Sequence, residues 1–452
     1  MAASKHIVAI VGGAVAGAEM AGLLAPRGVE TVVFEQNARP YGKIEDGLPR
    51  WHVKLRHKEY DTINRSLDHP NVHFVPKTRI GRDVDFADLA RDWGFSMVVF
   101  AHGAWRDRPL PIAGADAFVG RGLEYQNPFI YWFNHYEETG YDGPAYEVCD
   151  GTIVVGGGLA SIDVAKALQI EVVRGALRRR GIPSTVTDVE LDGIVATLER
   201  HGLRWEELGL RPATIFYRRR IEDMPLLDLP DDADAARRAK VEATRRKFVE
   251  KAMGKYLFAV RPLVRPVDLL ARDDRLVGLR FQQTRSLDGR IVDEPGATED
   301  VRAAATISSI GSIAEPLRGV PMCGELYDFS DPELGRLRGF DNVFAIGNVV
   351  TGRGNILVSR RHSAETTELL IEKFLGLGKD GSHDGEQDLM PDHGEGAGGQ
   401  GERVAAWLGG QPAVAPERIA AILERVRRRQ AEVGYDGRYR DWIARVSPPD
   451  MA

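Results

Sequence analysis

The residues of this sequence that could do chemistry sit at two turns, one pairing glycines with an acid and the other pairing glycines with arginines. The first turn, Gly12-Gly-Ala-Val-Ala-Gly17, follows the apolar run Ile7–Val11 and opens into Ala18-Glu-Met-Ala-Gly-Leu-Leu24. The second, Gly156-Gly-Gly158-Leu-Ala-Ser161, follows Ile153-Val-Val155 and opens into Ile162-Asp-Val-Ala-Lys-Ala-Leu168. A buried strand, a tight turn and a helix in that order offer free N–H groups and the positive end of a helix dipole to a pyrophosphate. Two such units in one chain point to two bound dinucleotides, a flavin and a nicotinamide, between which a hydride passes.

Each turn is followed by residues that select its ligand. In the first, Gly12 permits a sharp exit from the strand and Gly17 lets the helix pack closely. Ala14 replaces the middle glycine, and with Ala16 it keeps the turn small enough for a phosphate to approach the backbone. The next strand, Thr31-Val-Val-Phe-Glu35, ends in a carboxylate that can accept hydrogen bonds from both ribose hydroxyls. The second turn, with Gly156, Gly158, Leu159, Ala160 and Ser161 as its expected contacts, has no such acid. Its next strand, Ala213–Tyr217, runs into Arg218, Arg219 and Arg220. Guanidinium forks suit a phosphate dianion, so NADP(H) is expected over NAD(H), with Arg218 and Arg219 as the contacts. The alternative is a solvated basic turn.

Composition excludes other classes. The chain has 452 residues, 43% hydrophobic and 28% charged, enough for two or three cores of an ordinary globular protein. A net charge of −6 does not suit a nucleic-acid binder. No apolar stretch reaches membrane-spanning length, and strand residues begin where a secretory signal would lie, so a cytoplasmic location is expected. Cys149 and Cys323 are the only cysteines, too few for an iron–sulfur cluster and without the C-x-x-C of a redox dithiol. No His/Asp/Glu group has metal-ligand spacing.

The elements that position these turns predict an α/β fold with two Rossmann-like dinucleotide-binding domains, the NADP domain inserted in the FAD domain. Residues 1–115 read as the first part of the FAD domain and 116–144 as a connection. Residues 145–330 read as the NADP(H) domain and 331–378 as the return to the FAD domain. Residues 379–402, rich in Gly, Asp, Glu and His, read as a flexible linker, and 403–452 as a helical extension. In that extension Ile419, Ile422, Leu423 and Val426 share one face of a helix from Pro416 to about Val433. Trp407, Tyr435, Tyr439 and Trp442 add apolar surface, which predicts packing on the nucleotide domain or on a second subunit.

Over residues 5–378 the chain resembles the adrenodoxin-reductase type of ferredoxin–NADP⁺ reductase, with features close to the small subunit of glutamate synthase. Several segments carry the resemblance: Tyr41-Gly-Lys-Ile-Glu-Asp-Gly-Leu-Pro-Arg-Trp-His52, Ile80-Gly-Arg-Asp-Val84, the turn at Gly103, Phe129–Asn134, Gly158–Ala165 and Tyr217–Pro225. It implies a flavin beside Gly42 and Gly103, and a late flavin contact at Gly347-Asn348, where the family carries Gly-Trp or Gly-Asp. It also implies contacts at Gly354, Asn355 and Ile356 near the flavin ring, in a stretch where Arg353 departs from the family pattern. His52, Lys43 and Asp163 are the polar groups expected near hydride transfer. His52 is alternatively a structural histidine, and Asp163 alternatively a helix-dipole partner. The implied cofactors are FAD and NADP(H). The implied partner is a separate iron–sulfur electron carrier such as a ferredoxin, or a partner subunit. A flavin reductase or monooxygenase acting on a small organic substrate, or an electron-input subunit, are the alternatives.

Overall fold

Runs of β-branched and aliphatic residues with no polar interruption make strands that must be covered on both faces, and this dictates parallel sheets flanked by helices. A computed structural model describes residues 6–227, 229, 233–287, 289–351 and 397–448. Strand Ile7–Val11 pairs in parallel with Glu30–Phe34 on one side and Met97–Phe100 on the other. Val72–Val75 extends the first edge in parallel. On the other edge Val343–Ala345 pairs in parallel with Met97–Phe100, after the whole second sheet has been built. Two short antiparallel strands complete a seven-stranded sheet. The chain therefore leaves the first nucleotide unit and returns to it.

The second sheet has five parallel strands in the order Leu123–Tyr125, Thr306–Ser309, Ile153–Gly156, Thr214–Tyr217, Ala259–Pro262. Helix Leu159–Arg178 covers it, burying Ile162, Val164, Leu168, Ile170 and Val173. A three-stranded antiparallel sheet, Val264–Arg272, Arg275–Leu287 and Arg290–Arg302, stands beside it. Helix Gln126–His135 packs Phe129, Ile130, Trp132 and Phe133 into the core of this second unit together with Trp51 and Leu55.

The structure corrects three expectations. Ile80–Val84, which the resemblance matches to a short family strand, is a tight turn closed by a single bridge. The expected linker ends early, because helix Ala397–Gly409 begins inside it, while residues 379–396 lie outside the described residues. Its glycines read as flexible in the sequence, yet Gly401 lies in this helix beside Met20 and Leu23. The extension packs on the first sheet, not on the nucleotide domain. Ile419, Ile422 and Val426 join a core with Phe34, Trp93 and Phe95, and Tyr435, Tyr439 and Trp442 join another with Phe74 and Val33. These aromatic residues of the first unit supply the apolar area that periodicity alone could not assign.

Candidate functional site

The first turn forms as its residue types require. Gly12 has φ +100, and a Cβ there would lie 2.7 Å from the His102 Cα, so only glycine fits. At Gly17 a Cβ would overlap the Gly12 carbonyl oxygen. No side chain caps helix Val15–Leu24, which leaves its first N–H groups open toward the turn. Gly42, at φ +51, closes on the turn so tightly that a Cβ would sit 2.8 Å from the Ala14 Cβ. Gly347 closes it from the returning chain, where a Cβ would lie 3.1 Å from the Ala16 Cβ. The exposed Asn348 starts the short helix Asn348–Thr351 there. The structure thus brings Gly12, Ala14, Ala16, Gly17, Gly42 and Gly347 together. Gly354, Asn355, Ile356 and Arg353 lie outside the described residues.

A cleft opens beside this turn with Gly12, Ala14, Glu35, Gly42, His102 and Trp105 in its walls. Glu35 is buried, and its two oxygens accept the Gly13 N–H at 2.9 Å and the Asn37 N–H at 2.8 Å. Burial pushes its carboxyl up to about 7 against those two hydrogen bonds, with Asp46 adding repulsion. His102, which follows strand Met97–Phe100 and precedes Gly103 at φ +73, is held neutral, its pKa drawn down to about 4 chiefly by desolvation. Sequence reasoning passed over His102. Its position at the carboxyl end of a central parallel strand was the available signal.

Segment 41–52 is fastened to helix Gln126–His135. Asn134 accepts the Arg50 N–H at 2.9 Å and donates to the Glu45 and Leu48 carbonyls, both at 2.9 Å. Lys43 donates to Asn127 Oδ1 at 3.0 Å and Ser312 Oγ at 3.1 Å, with its ammonium 5.5 Å from the centre of the Trp105 ring. Desolvation pulls the Lys43 ammonium below its usual value and pushes the Asp107 carboxyl up, each opposed by the other's charge. Asp107 accepts the Asn127 N–H at 3.2 Å. This cluster of Lys43, Asp107, Asn127 and Ser312 draws on both nucleotide units, and only Lys43 was visible in the sequence.

His52 and Asp163 belong to a different, buried cluster. His52 is fully buried, and its Nε2 accepts the Trp51 indole N–H at 3.0 Å, which places the proton of the neutral ring on Nδ1. The Lys166 ammonium lies 4.5 Å from the centres of both the Trp51 and the Tyr256 rings, and donates to Glu190 Oε1 at 3.0 Å. Tyr256 donates to the same oxygen at 2.7 Å. Burial and the Glu190 carboxylate hold the Tyr256 phenol well above its usual value, with Asp163 adding to that field. Lys166 shares a helix face with Asp163, an i,i+3 spacing that could have drawn attention to it.

At the second turn, a Cβ on Gly157 would overlap the Tyr217 ring, and one on Gly156 the Ser161 hydroxyl. Ser161 is turned inward: its hydroxyl donates to the Ser309 carbonyl at 3.0 Å, so its side chain braces the turn rather than facing a ligand. Gly158 caps helix Leu159–Arg178 with no side-chain bond, leaving half-buried Leu159 and Ala160 at its open end. Val155 pairs with Phe216, which carries the arginines just past the turn. Arg220 is held by Asp223 at 2.8 Å and Glu242 at 3.1 Å. Among the described residues the Arg218 and Arg219 guanidinium groups enter no ion pair, while their carbonyls accept bonds from Thr284 at 2.9 Å and Leu263 at 3.1 Å. The backbone of both arginines is thus pinned.

Over 353 residues, 70% of its length, the chain is 23% identical to the mitochondrial NADPH:adrenodoxin oxidoreductase of Arabidopsis thaliana, and covers 69% of it. Over 167 residues it is 30% identical to the cindoxin reductase of Citrobacter braakii, a match over 36% of this chain and only 34% of that one. The solved structure of Mycobacterium tuberculosis FprA in complex with NADPH shares the fold with a TM-score of 0.62 at 18% identity, covering 95% of this chain and 91% of that one. No protein-family model matches. Among the described residues no group of His, Cys, Asp or Glu could hold a metal ion, and no helix is long and apolar enough to cross a membrane.

Proposed function

We propose that this chain is an FAD-dependent NADPH oxidoreductase that passes electrons to a separate iron–sulfur protein of the ferredoxin kind. The carrying observation is the pair of glycine turns at the carboxyl ends of parallel strands in two sheets, one backed by buried Glu35 and the other by Arg218 and Arg219, which enter no ion pair among the described residues. The residues fit both groups. Gly12 and Gly42 leave a cradle that a Cβ would fill, and the open amides of helix Val15–Leu24 face it. FAD, when bound, supplies the chemistry of accepting a hydride and releasing its electrons singly.

The chain's own part is binding, orientation and charge. Glu35 accepts the ribose hydroxyls, and the amides after Gly12 and after Gly158 receive the two pyrophosphates. Arg218 and Arg219 take the 2′-phosphate. Lys43, steadied by Asn127 and Ser312, places a cation beside the flavin segment. His52, held in one tautomer by Trp51, and Asp163 shape the buried layer between the units. We assign residues 1–115 and 331–378 to the FAD domain, 145–330 to the NADP(H) domain, and the protein to the cytoplasm, where its two free thiols stay reduced.

The test is direct. The purified chain should carry FAD, be bleached by NADPH, and reduce a ferredoxin in the presence of NADPH. A protein that binds no FAD, or whose flavin NADPH does not reduce, would end this reading.

A further inference from the structure

Two loops frame the Glu35 side of the first cleft, one after strand Glu30–Phe34 and one after Val72–Val75, with Gln36, Asn37 and Thr78 in its wall. They are tied to each other: the Lys77 N–H donates to the Asn37 carbonyl at 3.0 Å and the Thr78 N–H to the Glu35 carbonyl at 2.8 Å. Lys77 stands at φ +51, a left-handed conformation that a residue with a side chain keeps only when its surroundings impose it. Here the C-terminal extension imposes it. Arg429 donates to the Lys77 carbonyl at 3.2 Å and to the Thr78 hydroxyl at 3.0 Å. Gln430, buried, donates to the Phe74 carbonyl at 2.8 Å. The Trp442 indole donates to the Ala38 carbonyl at 2.8 Å, and the Lys77 ammonium lies 5.5 Å from the centre of the Trp442 ring. Arg39, on the first loop, donates to the Val446 carbonyl at 2.8 Å.

The extension thus grips both loops from outside at the ends of their strands, where their backbone meets the dinucleotide. We propose that residues Arg429–Val446 form a clamp that sets these loops for the adenosine end of FAD, so that retention of the flavin depends on a segment that touches none of it. Arg429 and Trp442 are its positioning residues. Pre-ordering the loops moves their ordering cost from binding into folding, and tightens the ligand by that amount. The proposal rests on reading the first cleft as the FAD site. If the wild-type chain binds no FAD, that reading fails. If it binds FAD and the clamp variants bind equally well, the clamp alone fails.

The experiment uses the full chain, stripped of flavin and titrated with FAD by fluorescence quenching. Arg429→Met keeps the aliphatic stem and removes the fork; Trp442→Phe keeps the ring packing and removes the indole donor. Each should weaken FAD binding by about tenfold. Binding of 2′,5′-ADP at the second site should stay at its wild-type value, and the loss of FAD affinity should persist well below the melting temperature, which falls by a few degrees as the loop bonds are lost. Arg438→Ala alters a side chain on the same extension that, among the described residues, pairs with Asp436 and Asp441 alone, and should leave FAD binding unchanged. Wild-type FAD affinity in both variants would overturn the clamp. So would a loss of FAD affinity matched by an equal loss of 2′,5′-ADP binding, since the segment would then serve folding alone.

Discussion

The two nucleotide units use one backbone device and differ in what stands behind it. At the first turn Glu35 is buried, desolvated and anchored by the Gly13 and Asn37 amides. At the second, the corresponding strand end carries Arg218 and Arg219, whose guanidinium groups are unpaired among the described residues and whose backbone is pinned by the neighbouring sheet. A preformed carboxylate reads neutral hydroxyl donors, and a waiting cation reads a dianion. On the proposed reading the glycines confer phosphate binding on both, while selectivity is decided one strand later.

The largest effect should come from the device itself. Gly12→Val places a branched side chain at φ +100 and within 2.7 Å of the His102 backbone, so the variant should purify without flavin colour while the second site still binds 2′,5′-ADP. Retained flavin would show that the first turn is not the site. Next is the ion pair beneath the second unit, where Lys166 is fully buried and Glu190 nearly so. Lys166→Met leaves a buried carboxylate without its cation and should cost about 3–5 kcal/mol in urea unfolding, partly recovered by adding Glu190→Gln. An unchanged unfolding midpoint would show that the pair carries no such weight.

The arginines should show a selective effect. Replacing Arg218 and Arg219 with Ala removes charge-assisted contacts worth about 1.5–3 kcal/mol, so KM for NADPH should rise about tenfold or more with little change for NADH. Equal shifts would mean that neither reads the 2′-phosphate. The smallest effect belongs to Glu35. Ribose hydroxyls favour its ionised form, so FAD affinity should weaken as pH falls through about 7, and Glu35→Gln should flatten that dependence. The folded chain also holds this proton more tightly than the unfolded one, so the apoprotein should lose stability as pH rises from 4.5 to about 7. A pH-independent FAD affinity in the wild-type chain would place the carboxylate outside the binding step.

Much of the site was legible because its signals are local. Gly12, Gly17, Glu35, Gly156 and Arg218 lie within a strand, a turn or a strand end of one another, and each was read from residue type and spacing. The direction of the Ser161 hydroxyl was not legible, because a small polar residue at that position faces the phosphate or the sheet with equal ease. Only the Ser309 carbonyl on a distant strand decided which. Asp107, Asn127 and Ser312 were missed because their partners lie far away in sequence, whereas His102 and Lys166 each carried a local signal, a strand end and an i,i+3 spacing, too weak to single them out.

By itself the sequence determined two parallel α/β units, their order, and the acid-versus-arginine contrast between them, because strand and helix periods and turn stereochemistry act over a few residues. Tertiary structure decided that Lys43 meets Ser312, that His52 is locked to Trp51 above Lys166, and that the extension embraces the first unit rather than the second. Burial of apolar faces is non-directional. Its sequence pattern says that a helix needs a partner, and only shape and chain path say which.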